Sequence, residues 1–362
     1  MKRKLVLENG LVFKGIGFGS MQEAVAVLEL NYAMVGYQEI LSDPASYNKM
    51  ICMTYPLIGN YGVTDEDFES KKLTVRALVV RQYHDEPSNF RSTETLQEAM
   101  EENGVVGIAE VDTRMIARII RQEGRMKALI CDEEVPFEQC MEKLASYQDQ
   151  PSFNQSLAAG KMRQVRTANP LYTVVVVDYG VPTSLIRQLN RLGCNVVIVG
   201  ANTDIQTILD VKPDGIILSD GPTKASDDVE WIRQLCRQKQ TVPLLGIGLG
   251  ACKIALAFGA SIRPLTSGKH GSNHPVLRLD QDKIWIATQN SNVGVCEDDL
   301  QKTSLTITHR DLTDHSVLGF SETDQMIYGL LFDPDWSNEP KEEWWTVVSK
   351  RKGEHNAKKN RY

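Results

Sequence analysis

Residues 244–260 read LLGIGLGACKIALAFGA, the frame of a catalytic elbow with nothing catalytic at its tip. Apolar residues and glycines run up to Gly248, and a stripe of apolar and small residues runs away from it, which predicts a strand, a sharp turn and a helix. Such an elbow normally exposes a nucleophile on a strained tip beside backbone N–H donors. Here the tip is Gly248, which carries no reactive atom.

Working outward, the flanking sequence supplies the rest of an α/β domain. YTVVVVDYG (172–180) is a near-continuous β-branched run, as expected of a strand buried on both faces, and SLIRQLNRLG follows with helical spacing up to a terminal glycine. CNVVIVG, DGIILSDGP and VPLLGIG supply further strands, separated by helical segments such as DVEWIRQLCRQ. The alternation predicts a mostly parallel sheet with ligands at the carboxyl ends of its strands, where SDGPT and GIGLG both fall. Residues 1–150 differ: short strand-like runs (LVLENGLVFKG, KMICMTYPL, LTVRALVV) mix with turn clusters and a helix in STETLQEAMEENG, opened by Ser92 and closed at Asn103-Gly104, an α+β pattern. Residues 151–170 are polar and weakly periodic, a linker between that domain and an α/β domain over 171–345. The basic stretch 346–362 is expected to be a solvated tail.

Composition narrows the function. The chain has 362 residues, 42% of them hydrophobic, and a formal net charge of −7, which disfavours nucleic-acid binding. Seven cysteines lack C-x-x-C spacing, arguing against a disulfide framework and a zinc site and for a reducing compartment. MKRKLVLENG has no apolar signal region and no run approaches the roughly 18 apolar residues of a membrane span, so a cytoplasmic protein without membrane attachment is expected.

The strings GYQEILSDPASY, TYPLIGNYGV, DEDFES, DEPSNFRS, EVDTR, VDYG, LSDGP, IALAFGA and SNHPV, in that order, closely resemble the small subunit of carbamoyl phosphate synthetase over about residues 4–340. The resemblance implies an N-terminal domain that docks on a large subunit, and a class I glutamine amidotransferase domain that hydrolyses glutamine. It implies a heterodimer making carbamoyl phosphate from bicarbonate, ATP and glutamine or ammonia, in arginine or pyrimidine biosynthesis. ATP and Mg are then expected in the large subunit and no cofactor or metal in this chain.

The family's G-I-C-L-G-H-Q elbow is Gly246-Ile247-Gly248-Leu249-Gly250-Ala251-Cys252 here, so the nucleophile is missing. Its His-Pro-Glu segment matches Asp333-Pro334-Asp335, replacing the other two triad members. Ser46, Gly221, Leu249 and Asn290 match positions that contact glutamine in relatives, whereas Thr223, Cys252, Asn292 and Val293 are altered pocket positions. The family's N-G-P-G is Asp220-Gly221-Pro222-Thr223.

Chemistry leads to the same expectation. Hydrolysis by this route needs an attacking thiolate, a base and oxyanion donors. An Asp in place of a His base has a reference pKa lower by about 2.6 units, about 3.5 kcal/mol of lost driving force. Cys252 lies about one helical turn, roughly 6 Å, beyond the tip and is expected to be a buried bystander. His270 and His274, in KHGSNHPV, are expected in a hydrogen-bonded loop beside the elbow; His309 is likewise expected to be structural, and the pair Trp344-Trp345 to anchor the last helix. The leading expectation is therefore a small subunit whose glutaminase is lost, leaving an ammonia-dependent synthetase. The alternatives are a non-catalytic regulatory or interaction subunit, and a binding module with an altered amino-acid pocket.

Overall fold

A computed structural model describes residues 1–149, 162–201, 203–222, 228–238, 242–334, 336 and 343–359, with side chains through Arg351. The chain divides into two units: Met1–Pro151 with Leu265–Gly271, and Ser152–Pro264 with Ser272–Tyr362. The second unit is therefore discontinuous, because residues 265–271 group with the first.

The second unit is built on the sheet expected from the β-branched runs. Five parallel strands, in the order Cys194–Gly200, Tyr172–Asp178, Gly215–Leu218, Leu244–Ile247 and Ile327–Leu330, form its centre. Val174 to Val177 are fully buried, as successive side chains must be when both faces of a strand are covered. The sheet continues through antiparallel strands Val317–Glu322 and Thr306–Asp311 to the long strands Ile262–Arg278 and Lys283–Val295. Thus KHGSNHPV is strand rather than the expected loop. Arg163–Val165, inside the expected linker, pairs antiparallel with Cys194–Gly200 at the opposite edge; residues 151–161 lie outside the described residues.

The expected tail is also corrected, since Glu343–Lys359 is helix. Its first turn is anchored by Trp344, 1% exposed, which packs over Gly215 so closely that a Cβ there would lie 2.5 Å from the indole. Trp345 makes an edge contact with Tyr172.

In the first unit the short strands close into a seven-stranded barrel: Lys2–Leu7, Val12–Gly19, Val106–Ala109, Ala77–Val79, Met50–Met53, Ala24–Asn31 and Met126–Asp132. Alternation sorts their side chains. Leu5 and Leu7 join the cluster containing Leu28, Leu30 and Ile108, whereas Val6 joins a different cluster with Leu129 and Cys140. Helix Leu96–Glu102 starts three residues later than expected. Thr95, not Ser92, caps it, because Thr95 and Glu98 satisfy each other's backbone N–H groups in a capping box, while the Ser92 hydroxyl donates to the Glu94 carbonyl. Among the described residues, no helix is long and apolar enough to cross a membrane.

Candidate active site

The strand Leu244–Ile247 ends at Gly248, and the helix Leu249–Ala257 begins on the next residue. Gly248 sits at φ 52°, ψ −111°, a conformation that L side chains rarely adopt. Its N–H donates to the Leu330 carbonyl and its carbonyl accepts from the Cys252 N–H, so the strained residue is held from both sides. The helix also runs tight against the neighbouring strand. A Cβ on Gly250 would come within 2.2 Å of the Leu218 carbonyl oxygen, so a side chain there would push the helix off the sheet.

Register delivers the key neighbour. Leu218 pairs with Gly246, so continuing two residues beyond that pair on each chain segment brings Asp220 alongside Gly248. Ser219 fixes the loop: its hydroxyl donates to the Asp220 carbonyl and accepts from the Tyr179 N–H. The Asp220 Oδ1 accepts from the Gly221 N–H and from the Leu249 N–H, both at 2.8 Å. The Leu249 N–H is the first of the helix and has no partner within it, so a carboxylate there also meets the positive end of the helix dipole. A Cβ built on Gly248 would fall 2.2 Å from the Asp220 Cγ and 2.3 and 2.5 Å from its two oxygens. The space beside the tip is thus filled by a carboxylate that engages the two N–H groups flanking it. In the sequence this residue stands out only as an exchange of Asn for Asp in the N-G-P-G segment; the signal for its role is an acidic residue at a strand end beside a glycine tip.

The other positions distribute as follows. Asp333 is exposed three residues after Leu330, which pairs with Ile247, and its N–H donates to the Thr288 carbonyl. Asp335 and Thr223 lie outside the described residues. Asn290, Asn292 and Val293 all lie on the strand Lys283–Val295; Asn292 is buried, and the Val293 N–H donates to Ser291 Oγ. Ser46 belongs to the first unit, buried at the end of the short turn Pro44–Ser46.

Cys252 is fully buried, and burial first, the Asp220 charge second, pushes its thiol up to about 12. It is a neutral thiol at physiological pH, without the nucleophilic form. Lys253, 2% exposed, places its ammonium 4.8 Å from the centre of the Tyr179 ring and 3.9 Å from Asp228 Oδ2.

The histidines have structural surroundings. His309 is packed edge-on against Trp285 and Phe332 with Nδ1 2.8 Å from the Thr308 hydroxyl, and burial depresses its pKa to about 4. His270 is buried in the first unit with Nε2 3.8 Å from Glu29, which also binds Arg125 at 3.2 Å. His274 is half-buried on the strand Ile262–Arg278. No group of three or more His, Cys, Asp or Glu side chains suited to holding a metal ion occurs among the described residues.

Residues 5–130 match the family "Carbamoyl-phosphate synthase small chain, CPSase domain", and residues 175–346 match "Glutamine amidotransferase class-I". The carbamoyl phosphate synthase small chain of Chlorobaculum tepidum is 39% identical over 339 residues, covering 91% of this chain and 92% of that one. The small chain of Oceanobacillus iheyensis is 36% identical, covering 94% and 93%. The pyrimidine-specific small chain of Halalkalibacterium halodurans is 35% identical, covering 94% of each.

Proposed function

Because the chain belongs to the carbamoyl phosphate synthase small-chain family, we propose that it serves as the small subunit of such a synthetase with its own glutamine hydrolysis lost, so that nitrogen enters as ammonia. One observation carries the loss: the elbow tip is Gly248 and the space beside it is taken by the Asp220 carboxylate. Covalent amide hydrolysis requires a nucleophile to attack the carbonyl carbon and donors to receive the charge that then develops on oxygen. This elbow offers no attacking atom, and the Gly221 and Leu249 N–H groups beside it are already engaged by the Asp220 carboxylate. Cys252 does not substitute, being buried and protonated. Asp333 occupies the position of the base, and a carboxylate is a weaker proton acceptor than an imidazole.

The partner is proposed to be a large chain that binds ATP and Mg. The first unit exposes apolar side chains in a loop cluster suited to docking: Phe90 is 97% exposed, Val35 72% and Met34 66%. Their loops are tied together through Asn60 and Tyr61. The Gly36 and Tyr37 N–H groups both donate to the Tyr61 hydroxyl, Tyr61 stacks on Tyr37 at 4.0 Å, and the Ser88 N–H donates to the Asn60 carbonyl. Apolar groups held in water by well-fixed loops are an expected feature of an interface core. The test is glutamate release by the purified chain, together with co-purification of a cognate large chain. Glutamate released at a rate abolished by Cys252→Ser would overturn the loss. Failure of the two chains to associate at micromolar concentration would overturn the assembly.

A further inference from the structure

We propose that Asp220 is an internal occupant of the elbow's two-donor site: its carboxylate closes the pocket to an amide carbonyl and must move before position 248 can carry a side chain. The inference rests on the family assignment for the site's original use, but its geometry stands on this chain alone.

An ordinary helix cap explains less than the structure shows. A capping side chain commonly comes from the residue just before the helix, whereas Asp220 arrives from another strand end, 29 residues upstream. A single oxygen accepts both the Leu249 N–H and the Gly221 N–H, at 2.8 Å each, a convergent pair of donors from two segments. Two donors converging on one oxygen are the arrangement that stabilises an oxyanion in acyl transfer. Here the Asp220 carboxylate fills it, and hydrogen bonds to a carboxylate are stronger than those to a neutral carbonyl, so a substrate amide competes poorly for the same two groups. The exclusion also runs toward the tip. A Cβ at 248 would sit 2.2–2.5 Å from the three atoms of the carboxylate, so the carboxylate and any side chain at the tip displace each other. Gly248 and Asp220 therefore act as one closed unit, and the pocket is shut twice over: no nucleophile, and no vacancy for the oxygen that a nucleophile would generate.

Two measurements test this on the full chain without requiring catalysis. In the unaltered protein, the amide protons of Gly221 and Leu249 should shift together through one carboxylate titration, and that shared transition should vanish in Asp220→Asn. Independent titration of the two amides, or none, overturns the shared acceptor. The second measurement is a thermal double-mutant cycle with Gly248→Ala and Asp220→Gly. Gly248→Ala should lower Tm by about 4 °C more with Asp220 present than beside Asp220→Gly, the scale expected when overpacking is relieved. The backbone strain of alanine at a positive φ is common to both arms and cancels. Equal losses in the two arms overturn the proposal. Glutamate release by the unaltered chain would refute the loss of hydrolysis, while leaving the amide titration to decide the occupancy.

Discussion

Rebuilding the triad should not restore hydrolysis until Asp220 is also changed. Gly248→Cys supplies a thiol with a reference pKa near 8.5, only about 3% thiolate at pH 7, and with no imidazole to take its proton. Adding Asp333→His and Asp335→Glu recovers the base, worth up to about 3.5 kcal/mol of proton-transfer driving force from the 2.6-unit difference in reference pKa. The Asp220 carboxylate still opposes the repair. It lies 2.2–2.5 Å from the new Cβ, disfavours the thiolate as a neighbouring like charge, and holds both flanking N–H groups. Loss of one oxyanion donor is worth about 10²–10³ in kcat, so the triple variant should gain at least about 100-fold when Asp220→Asn is added. The assay is glutamate release under saturating glutamine, with the single, triple and quadruple variants compared in one buffer. A triple variant as fast as the quadruple would refute the role given to Asp220. Gly248→Cys with Asp220→Asn alone as fast as the quadruple variant would refute the assignment of Asp333 to the base position.

Three further outcomes follow from the same geometry. His309 has a folded-state pKa of about 4 against an ordinary 6.5, so the unfolded chain takes up its proton first as pH falls. The stability tied to its neutral form is complete above about pH 6.5 and is lost between 6.5 and 4, on the order of 3 kcal/mol in all; His309→Gln should flatten that part of a denaturant-midpoint profile measured from pH 7 to 4.5. Cys252, buried with its thiol pushed up to about 12, should resist iodoacetamide in the folded chain and react on unfolding, as peptide mass mapping would register. Phe90→Ser with Val35→Ser should weaken binding to the large chain by tenfold or more in calorimetry while leaving Tm within about 2 °C, since both side chains are exposed; unchanged affinity would move the docking surface elsewhere.

The parallel sheet was legible because its strands are buried on both faces, and only a continuous β-branched run such as Val174–Val177 satisfies that environment. The barrel was not. Its strands are short, down to the three residues Ala77–Val79, and closure depends on pairings between distant segments that no local period encodes. The helix at the C-terminus is masked in the sequence because basic residues dominate its composition, whereas Trp344 and Val348 at its start are buried and give the helix something to pack on. At the site, Gly248 could be picked out from its flanking pattern alone. Asp220 could not, since its role is a tertiary contact set by the register of two strands whose ends lie far apart in sequence.

The deciding measurement is carbamoyl phosphate formation by the co-purified two-chain complex, with glutamine and ammonium compared side by side across pH. Synthesis with ammonium should rise with pH as more NH₃ is present, and glutamine at any concentration should add little. Turnover with glutamine at a rate comparable to that with ammonium would contradict the loss of hydrolysis at a glycine-tipped elbow.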